Sequence, residues 1–171
     1  IMDTDSLSSG INFATSRSDG LSLRMEAIIS SLPKALIKEA TKGQSQAIIK
    51  SATDLIINLA ISINPKTLYL WLSDGFEEDQ HSTHQLFAKR GASRHLWQPD
   101  WLKIELEILR QLSHQQSQSS TVPTLVLPYV RTLEEWLGLK RQIIGSGLEP
   151  GRDIKLYLAC QVPAILSASN E

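Results

Sequence analysis

The chain has 171 residues, of which 42% are hydrophobic and 20% charged, with 17 Lys and Arg residues against 18 Asp and Glu residues. This length and apolar fraction predict one folded domain with a sizeable core. The near-neutral charge balance excludes the strongly basic surface of a nucleic-acid-binding protein and offers no attraction to an anionic membrane. A single cysteine excludes an internal disulfide framework, so we predict a cytoplasmic protein that binds neither nucleic acid nor membrane.

The first half of the chain alternates segments of strand and helix character. Residues 1–10 are polar and are predicted to form a flexible N-terminal segment. The short apolar segments Ile11–Thr15 and Leu21–Ile29 have the length of strands. A short helix fits Leu32–Thr41, and a longer helix is predicted over Gln44–Ile63, where apolar residues recur at helical spacing.

The second half is predicted to contain three strands and two helices in alternation. In chain order these are a strand over Thr67–Ser73, a helix over Pro99–His114, a strand over Thr124–Val130, a helix that begins at Thr132 and ends at Gly145, and a strand over Ile154–Val162. The first of these strands is near-continuously apolar, as expected for a strand buried on both faces. Thr132 and Glu135 have the spacing of a capping box.

This alternation predicts an α/β fold with a parallel sheet and right-handed connections. A complete eight-stranded barrel takes about 250 residues. Residues 11–171 are therefore predicted to form a partial (β/α) barrel of about five strands, or a sheet that is covered in some other way. Because an exposed apolar edge favours unwanted pairing, we expect a homo-oligomer or a partner chain to cover it.

Five short motifs place polar residues at predicted strand ends or in the loops that follow them. They are Gly20-Leu-Ser-Leu-Arg-Met-Glu26, Leu68-Tyr-Leu-Trp-Leu-Ser-Asp74, Leu86-Phe-Ala-Lys-Arg-Gly-Ala-Ser-Arg94, Leu125-Val-Leu-Pro-Tyr-Val-Arg-Thr-Leu-Glu-Glu135 and Cys160-Gln-Val-Pro163. In this order they resemble the phosphoenolpyruvate/pyruvate-binding barrel of phosphoenolpyruvate synthase and its relatives, pyruvate phosphate dikinase and enzyme I of the sugar phosphotransferase system. The resemblance implies a barrel domain that binds phosphoenolpyruvate or a pyruvate-like anion where strands end and loops begin.

Three arginines carry the predicted binding site. The resemblance implies that Arg24 contacts the phosphate or carboxylate of the ligand and that Arg90 and Arg94, which flank a loop glycine, also face it. A planar guanidinium suits this role because it pairs with both oxygens of either group. From the residues alone, Arg24 could instead neutralise Glu26, and Arg90 could belong to a solvated basic loop.

Two positions depart from the family pattern. Trp71 stands where the family has an arginine, and tryptophan offers one indole donor and no charge. Gln161 stands where family members have a glutamate that binds magnesium, and a neutral amide compensates the charge of the metal less well. We therefore predict no catalytic residue and no metal ligand in this chain, and we regard magnesium as a doubtful cofactor. Cys160 does not match the acid/base cysteine of the family.

Three hypotheses follow. The first is a degenerate binding domain that retains at most an arginine-based anion site and is catalytically inactive alone. The second is a fragment of an active phosphotransferase whose natural chain continues beyond Glu171. The third is a structural or interaction protein that pairs through its open sheet edge.

Overall fold

A computed structural model describes residues 20–74, 91–97, 99–115 and 122–161. Strands and helices alternate through these ranges. In chain order they are β1 (Gly20–Arg24), α1 (Met25–Ser31), α2 (Lys34–Ala40), α3 (Gln46–Ile63), β2 (Thr67–Trp71), α4 (Ala92–Trp97), α5 (Pro99–Gln115), β3 (Thr124–Leu127), α6 (Leu133–Gly145) and β4 (Lys155–Leu158).

The four described strands form one parallel sheet in the order β1-β2-β3-β4. One row of the register crosses the whole sheet and joins Arg24, Trp71, Val126 and Tyr157. The predicted α/β fold is confirmed, and the described sheet is open rather than closed into a barrel. The fifth strand candidate, Ile11–Thr15, lies outside the described residues.

The two faces of the sheet have different surroundings. Because side chains alternate along a strand, one face of the sheet is formed by leucines that belong to or pack against a single hydrophobic core shared with the helices: Leu21, Leu23, Leu68, Leu70, Leu125, Leu127, Leu156 and Leu158. The opposite face carries Ser22, Tyr69, Trp71, Val126 and Tyr157, and none of these residues belongs to that core. The helical layer therefore covers one side of the sheet.

The longest helix, α3, supplies much of the core. Its buried residues are Ile48, Ile49, Ala52, Thr53 and Ile56, and it packs against α5. The helix ends at Asn64, which adopts a left-handed conformation and donates its N–H to the carbonyl of Ala60 at 2.8 Å. Asparagine tolerates this conformation better than most residues, and Pro65 prevents the helix from continuing.

Within the described ranges, α3 is also the one helix that is long and apolar enough by composition to cross a membrane, and 28% of it is buried. A single such helix is weak evidence for a membrane span, and α3 packs against α5. A cytoplasmic location remains a prediction.

The structure departs from the prediction at one predicted strand and at one helix that was not predicted. The predicted strand Leu21–Ile29 is a strand only as far as Arg24, because α1 begins at Met25 with residues of high helix propensity. Helix α4, which contains Arg94, was not predicted. Its six residues are too few to show a helical repeat in the sequence.

The N-terminus of α6 shows half of the predicted capping box. The Glu135 N–H donates to Thr132 Oγ1 at 3.2 Å, as predicted. The Glu135 carboxylate, however, accepts from the N–H of Arg131 at 2.6 Å instead of the N–H of Thr132. The cap therefore also holds the loop that leads from β3 into the helix.

Gly91 immediately precedes α4 and packs closely against the loop that follows β3. It has a φ of +58°, and a Cβ atom there would lie 2.5 Å from the carbonyl oxygen of Pro128 and 2.6 Å from the Cβ of Tyr129. Since neither contact is with the flexible end of a side chain, the neighbours cannot move aside without a shift of the backbone. This close approach requires glycine.

We expect Gly91→Ala to destabilise the fold by about 2 kcal/mol or more, because it adds both steric overlap and an unfavourable φ. Gly145→Ala is the matched control, since no atom lies within 4 Å of its added Cβ, and it should be neutral or stabilising by about 0.5 kcal/mol. Urea unfolding of the three proteins measures both changes. Equal stability of the two variants would show that the loop moves away from Gly91 easily.

Candidate functional site

A small pocket of about 70 Å³ lies at the carboxyl ends of the strands. Its lining comes from the ends of β1, β2 and β3 and from the segment after β4: Arg24, Glu26, Trp71, Leu72, Asp74, Pro128, Tyr129 and Gln161. Four of the five sequence motifs therefore contribute to one site. Carboxyl ends of parallel strands are where α/β proteins usually bind their ligands, because the loops there are free to vary.

Arg24 is the accessible cation of this pocket. Its side chain is 58% exposed, and its Nη1 lies 3.1 Å from Glu26 Oε1. The guanidinium carbon lies 5.8 Å from the centre of the Trp71 ring, within reach of a cation–π interaction. The predicted neutralisation of Arg24 by Glu26 is thus present, and Trp71 supports the guanidinium from a second side.

The indole of Trp71 is itself held in place. Its Nε1–H donates to Ser22 Oγ at 2.9 Å across the β1–β2 pair. The one polar hydrogen of the side chain is therefore used within the protein, and tryptophan has no second donor. At this position the pocket presents an aromatic surface and no free hydrogen-bond donor.

The carboxylate of Glu26 and the amide oxygen of Gln161, which both line the pocket, already have partners within the protein. Glu26 accepts from Arg24 through Oε1 and from the N–H of Asp74 through Oε2 at 2.8 Å. The Gln161 carbonyl oxygen accepts from the N–H of Tyr129 at 3.2 Å. Magnesium requires several free oxygen ligands in near-octahedral positions. The residues present in this pocket do not fit a magnesium site.

The structure separates Arg94 from Arg24, whereas it does not place Arg90. Arg90 lies outside the described residues. Arg94 lies on α4, is only 5% exposed, and lines a different groove between α2 and α5 instead of the Arg24 pocket. The ligand-binding roles of all three arginines remain predictions.

A buried polar cluster, formed by Ser73, His95 and Glu105, lies directly behind the pocket. His95 Nε2 lies 2.8 Å from the carbonyl oxygen of Ser73, and Glu105 Oε2 accepts from the N–H of Ser73 at 3.4 Å. Because a carbonyl oxygen only accepts, Nε2 of His95 carries the hydrogen. The cluster holds the end of β2 from the side of α4 and α5, while Glu26 holds Asp74 from the side of α1.

The sequence analysis did not predict this cluster, although one signal for it exists. Glu105 stands on the apolar stripe of α5, three residues after Leu102 and four before Leu109, and all three are completely buried. A glutamate in such a stripe is almost never fully buried unless it has a partner. The partner residues Ser73 and His95 are distant in sequence and could not be identified from spacing.

Burial shifts the pKa values of the cluster in opposite directions. Desolvation raises the pKa of Glu105 from 4.5 to about 7, against the opposing effect of hydrogen bonds from Ser73 and of the Arg94 charge. Desolvation likewise lowers the pKa of His95 from 6.5 to about 4. Burial therefore favours the neutral form of both side chains.

Polar residues of two motifs also hold the loops around the pocket together. Arg131 Nη1 donates to Ser93 Oγ at 2.9 Å, and Ser93 Oγ in turn donates to the Glu135 carboxylate. This chain of contacts joins α4 to the N-terminus of α6. Ser93 and Arg131 therefore serve to position the loops around the pocket.

The two pKa shifts predict opposing pH dependences of stability. The neutral Glu105 stabilises the fold at low pH, and this contribution is lost as the pH rises from 4.5 through 7. The neutral His95 stabilises the fold at high pH, and this contribution is lost as the pH falls from 6.5 through 4. Between pH 4.5 and 6.5 the two slopes cancel.

We expect Glu105→Gln to remove this cancellation, so that the free energy of unfolding rises between pH 4.5 and 6.5 with a slope of up to about 1.4 kcal/mol per pH unit. Glu107→Gln is the control, because hydrogen bonding to Arg110 lowers the pKa of Glu107 and places its titration below this range. Urea unfolding at several pH values measures the slopes. The same slope in the wild type and in Glu105→Gln would contradict the opposing titrations.

Comparisons with known proteins agree with the resemblance in the motifs. The chain is 25% identical over 162 residues to the phosphoenolpyruvate synthase of Pyrococcus furiosus, in a match covering 88% of this chain and 20% of that protein. It is 24% identical to a probable phosphoenolpyruvate synthase of Pyrococcus abyssi, with 88% and 19% covered. No family model matches the chain. The chain spans about a fifth of the length of these relatives and is distantly related to phosphoenolpyruvate synthase.

Proposed function

We propose that this chain is a phosphoenolpyruvate synthase-like domain that binds a small carboxylate, of the pyruvate or phosphoenolpyruvate type, and does not transfer phosphate by itself. The observation that carries the proposal is the exposed guanidinium of Arg24 in the pocket at the carboxyl ends of the strands. The distant relationship to phosphoenolpyruvate synthase supports this choice of ligand.

Arg24 has hydrogen-bonding capacity left for a ligand. A guanidinium carries five N–H donors. The described residues provide a carboxylate acceptor for Arg24 only at Nη1, and the Trp71 ring contacts the group through its face. A ligand carboxylate can therefore accept from the remaining donors while Glu26 keeps its place.

The charges of the pocket favour a ligand with a single negative charge. The pocket is lined by one cationic residue, Arg24, and two acidic residues, Glu26 and Asp74, so the formal charges of its lining sum to −1. Each additional negative charge on a ligand is repelled by this sum. A pyruvate-like monocarboxylate should bind more tightly than phosphoenolpyruvate, unless Arg90 contributes a further positive charge.

The same pocket argues against catalysis by this chain. Phosphoryl transfer depends on positive charge around the transferred group. Trp71 adds none, and the amide oxygen of Gln161 is used by the N–H of Tyr129. The proposal therefore expects no release of pyruvate from phosphoenolpyruvate when the chain is incubated with the ligand and magnesium.

We expect Arg24→Ala to weaken pyruvate binding by about tenfold or more, because a hydrogen bond to a charged group contributes about 1.5 kcal/mol or more. Calorimetric titration of pyruvate and of phosphoenolpyruvate, each with and without magnesium, measures the affinities. Arg152→Ala is the matched control, since Arg152 is an exposed arginine paired with Glu149 and Asp153 outside the pocket.

Three results would contradict the proposal. These are no binding of either ligand to the folded protein, equal affinities of the Arg24→Ala and wild-type proteins, and binding that requires magnesium. Tighter binding of phosphoenolpyruvate than of pyruvate would leave the site in place and assign a role to Arg90, which Arg90→Ala then tests.

A second candidate function is that of a part of a larger phosphotransferase. The observation in its favour is that the match covers 88% of this chain and only 20% of the Pyrococcus furiosus protein. Release of pyruvate and inorganic phosphate from phosphoenolpyruvate by this chain in the presence of magnesium, with water as the phosphoryl acceptor, would favour this second function over the first.

A further inference from the structure

Three side chains of one sheet face meet beside the pocket: Ser22, Arg24 and Trp71. Side chains two residues apart on a strand point to the same face, so Ser22 and Arg24 project together from β1. The register of the sheet pairs Arg24 directly with Trp71 on β2. Trp71 therefore lies within reach of both side chains of β1.

The hydroxyl of Ser22 fixes the indole of Trp71. The indole Nε1–H donates to Ser22 Oγ at 2.9 Å, and the bond is exposed to solvent. Water would satisfy the same donor if Ser22 lacked its hydroxyl, so burial does not require this bond. A bond between two strands does what water cannot, because it holds the ring in one orientation. The bond therefore serves the position of the ring more than the satisfaction of its donor.

The Trp71 ring and Glu26 together determine the plane of the Arg24 guanidinium. Glu26 Oε1 accepts from Nη1 at 3.1 Å, and a single hydrogen bond leaves the group free to turn about that contact. The centre of the Trp71 ring lies 5.8 Å from the guanidinium carbon, and the cation–π contact restrains this turn. With 58% of its side chain exposed, Arg24 depends on these two contacts for a fixed orientation.

The fixed plane leaves one edge of the guanidinium for a ligand. Nε and Nη2 carry two parallel N–H groups, the fork that binds both oxygens of a carboxylate. Among the residues that the structure describes, no acceptor bonds to this edge. A carboxylate gains both hydrogen bonds only when it lies in the plane of the guanidinium. A ring that holds the plane therefore prepares the site before the ligand binds.

We propose that Ser22 is a positioning residue of the Arg24 site. It holds the Trp71 ring, and the ring holds the guanidinium in the plane that receives both oxygens of a carboxylate. This role rests on the proposed function, because its ligand is the carboxylate proposed there. Arg24 remains the residue that touches the ligand, and Ser22 acts on it through Trp71.

A double-mutant cycle tests this role through calorimetric titration of pyruvate into the full chain. We expect Ser22→Ala to weaken binding about two- to fivefold, the range of a cation–π contact at an exposed site. The same substitution should have no effect in the Trp71→Phe background, because phenylalanine has no donor for Ser22. Ser22→Thr keeps the hydroxyl and should keep the affinity. Ser62→Ala is the control, since Ser62 is an exposed serine on α3 whose hydroxyl donates to the carbonyl of Asn58.

A second measurement needs no ligand. In an isotope-labelled protein the Arg24 Nε–H gives a nuclear magnetic resonance signal, which the Arg24→Ala protein identifies by its loss. The position of this signal depends on the Trp71 ring, because an aromatic ring shifts the signals of groups close to it. We expect Ser22→Ala to move the signal in the ligand-free protein, and Ser22→Thr and Ser62→Ala to leave it in place.

Two results would overturn the proposal. One is an Arg24 signal that Ser22→Ala leaves unchanged, and the other is a loss of affinity on Ser22→Ala that is equally large in the Trp71→Phe background. Absence of pyruvate binding to the wild type would instead refute the proposed function, and the Arg24 signal would still show whether Ser22 orients the guanidinium.

Far-ultraviolet circular dichroism shows whether each variant is folded. If Trp71→Phe does not fold, the comparison of Ser22→Ala with Ser22→Thr replaces the cycle, because the two variants differ in the hydroxyl that accepts from the indole. Equal affinities of these two variants for pyruvate would then overturn the proposal.

Discussion

The end of β2 is the part of the molecule on which the site most depends. Two consecutive residues there, Ser73 and Asp74, are held by side chains from three different helices: His95 and Glu105 on one side and Glu26 on the other. Backbone groups at a strand end have no neighbouring strand to satisfy them, and burial makes an unsatisfied group costly. These three side chains form hydrogen bonds with the backbone groups of Ser73 and Asp74. They therefore determine where Asp74 and Trp71 lie.

This arrangement explains why the sequence motifs are close together in space although they are far apart in the chain. Glu26 belongs to the first motif and contacts the second, and His95, next to the third, also contacts the second. Ser93 in the third contacts Arg131 in the fourth. Much of the polar content of the motifs therefore builds the rim of the pocket, and Arg24 is the described arginine that remains accessible within it.

The two faces of the sheet are buried by different parts of the molecule. The helices of this chain bury the leucine face, while on the opposite face the rings of Tyr69 and Tyr157 lie 6.3 Å apart across β3, where Val126 is only 5% exposed. The pocket lies at the border of this opposite face, because Trp71 belongs to both.

The sequence by itself determined the alternation of strands and helices, since the apolar repeat of α3 and α5, the Asn64-Pro65 stop and the Thr132 cap are local signals. It also placed Arg24 at a strand end. Only the tertiary structure separated Arg94 from Arg24, because a six-residue helix shows no repeat and α4 contacts residues that are distant in sequence, as His95 contacts Ser73. The face that the helices cover was likewise decided by packing, since strand alternation identifies two faces but not which one the helices cover.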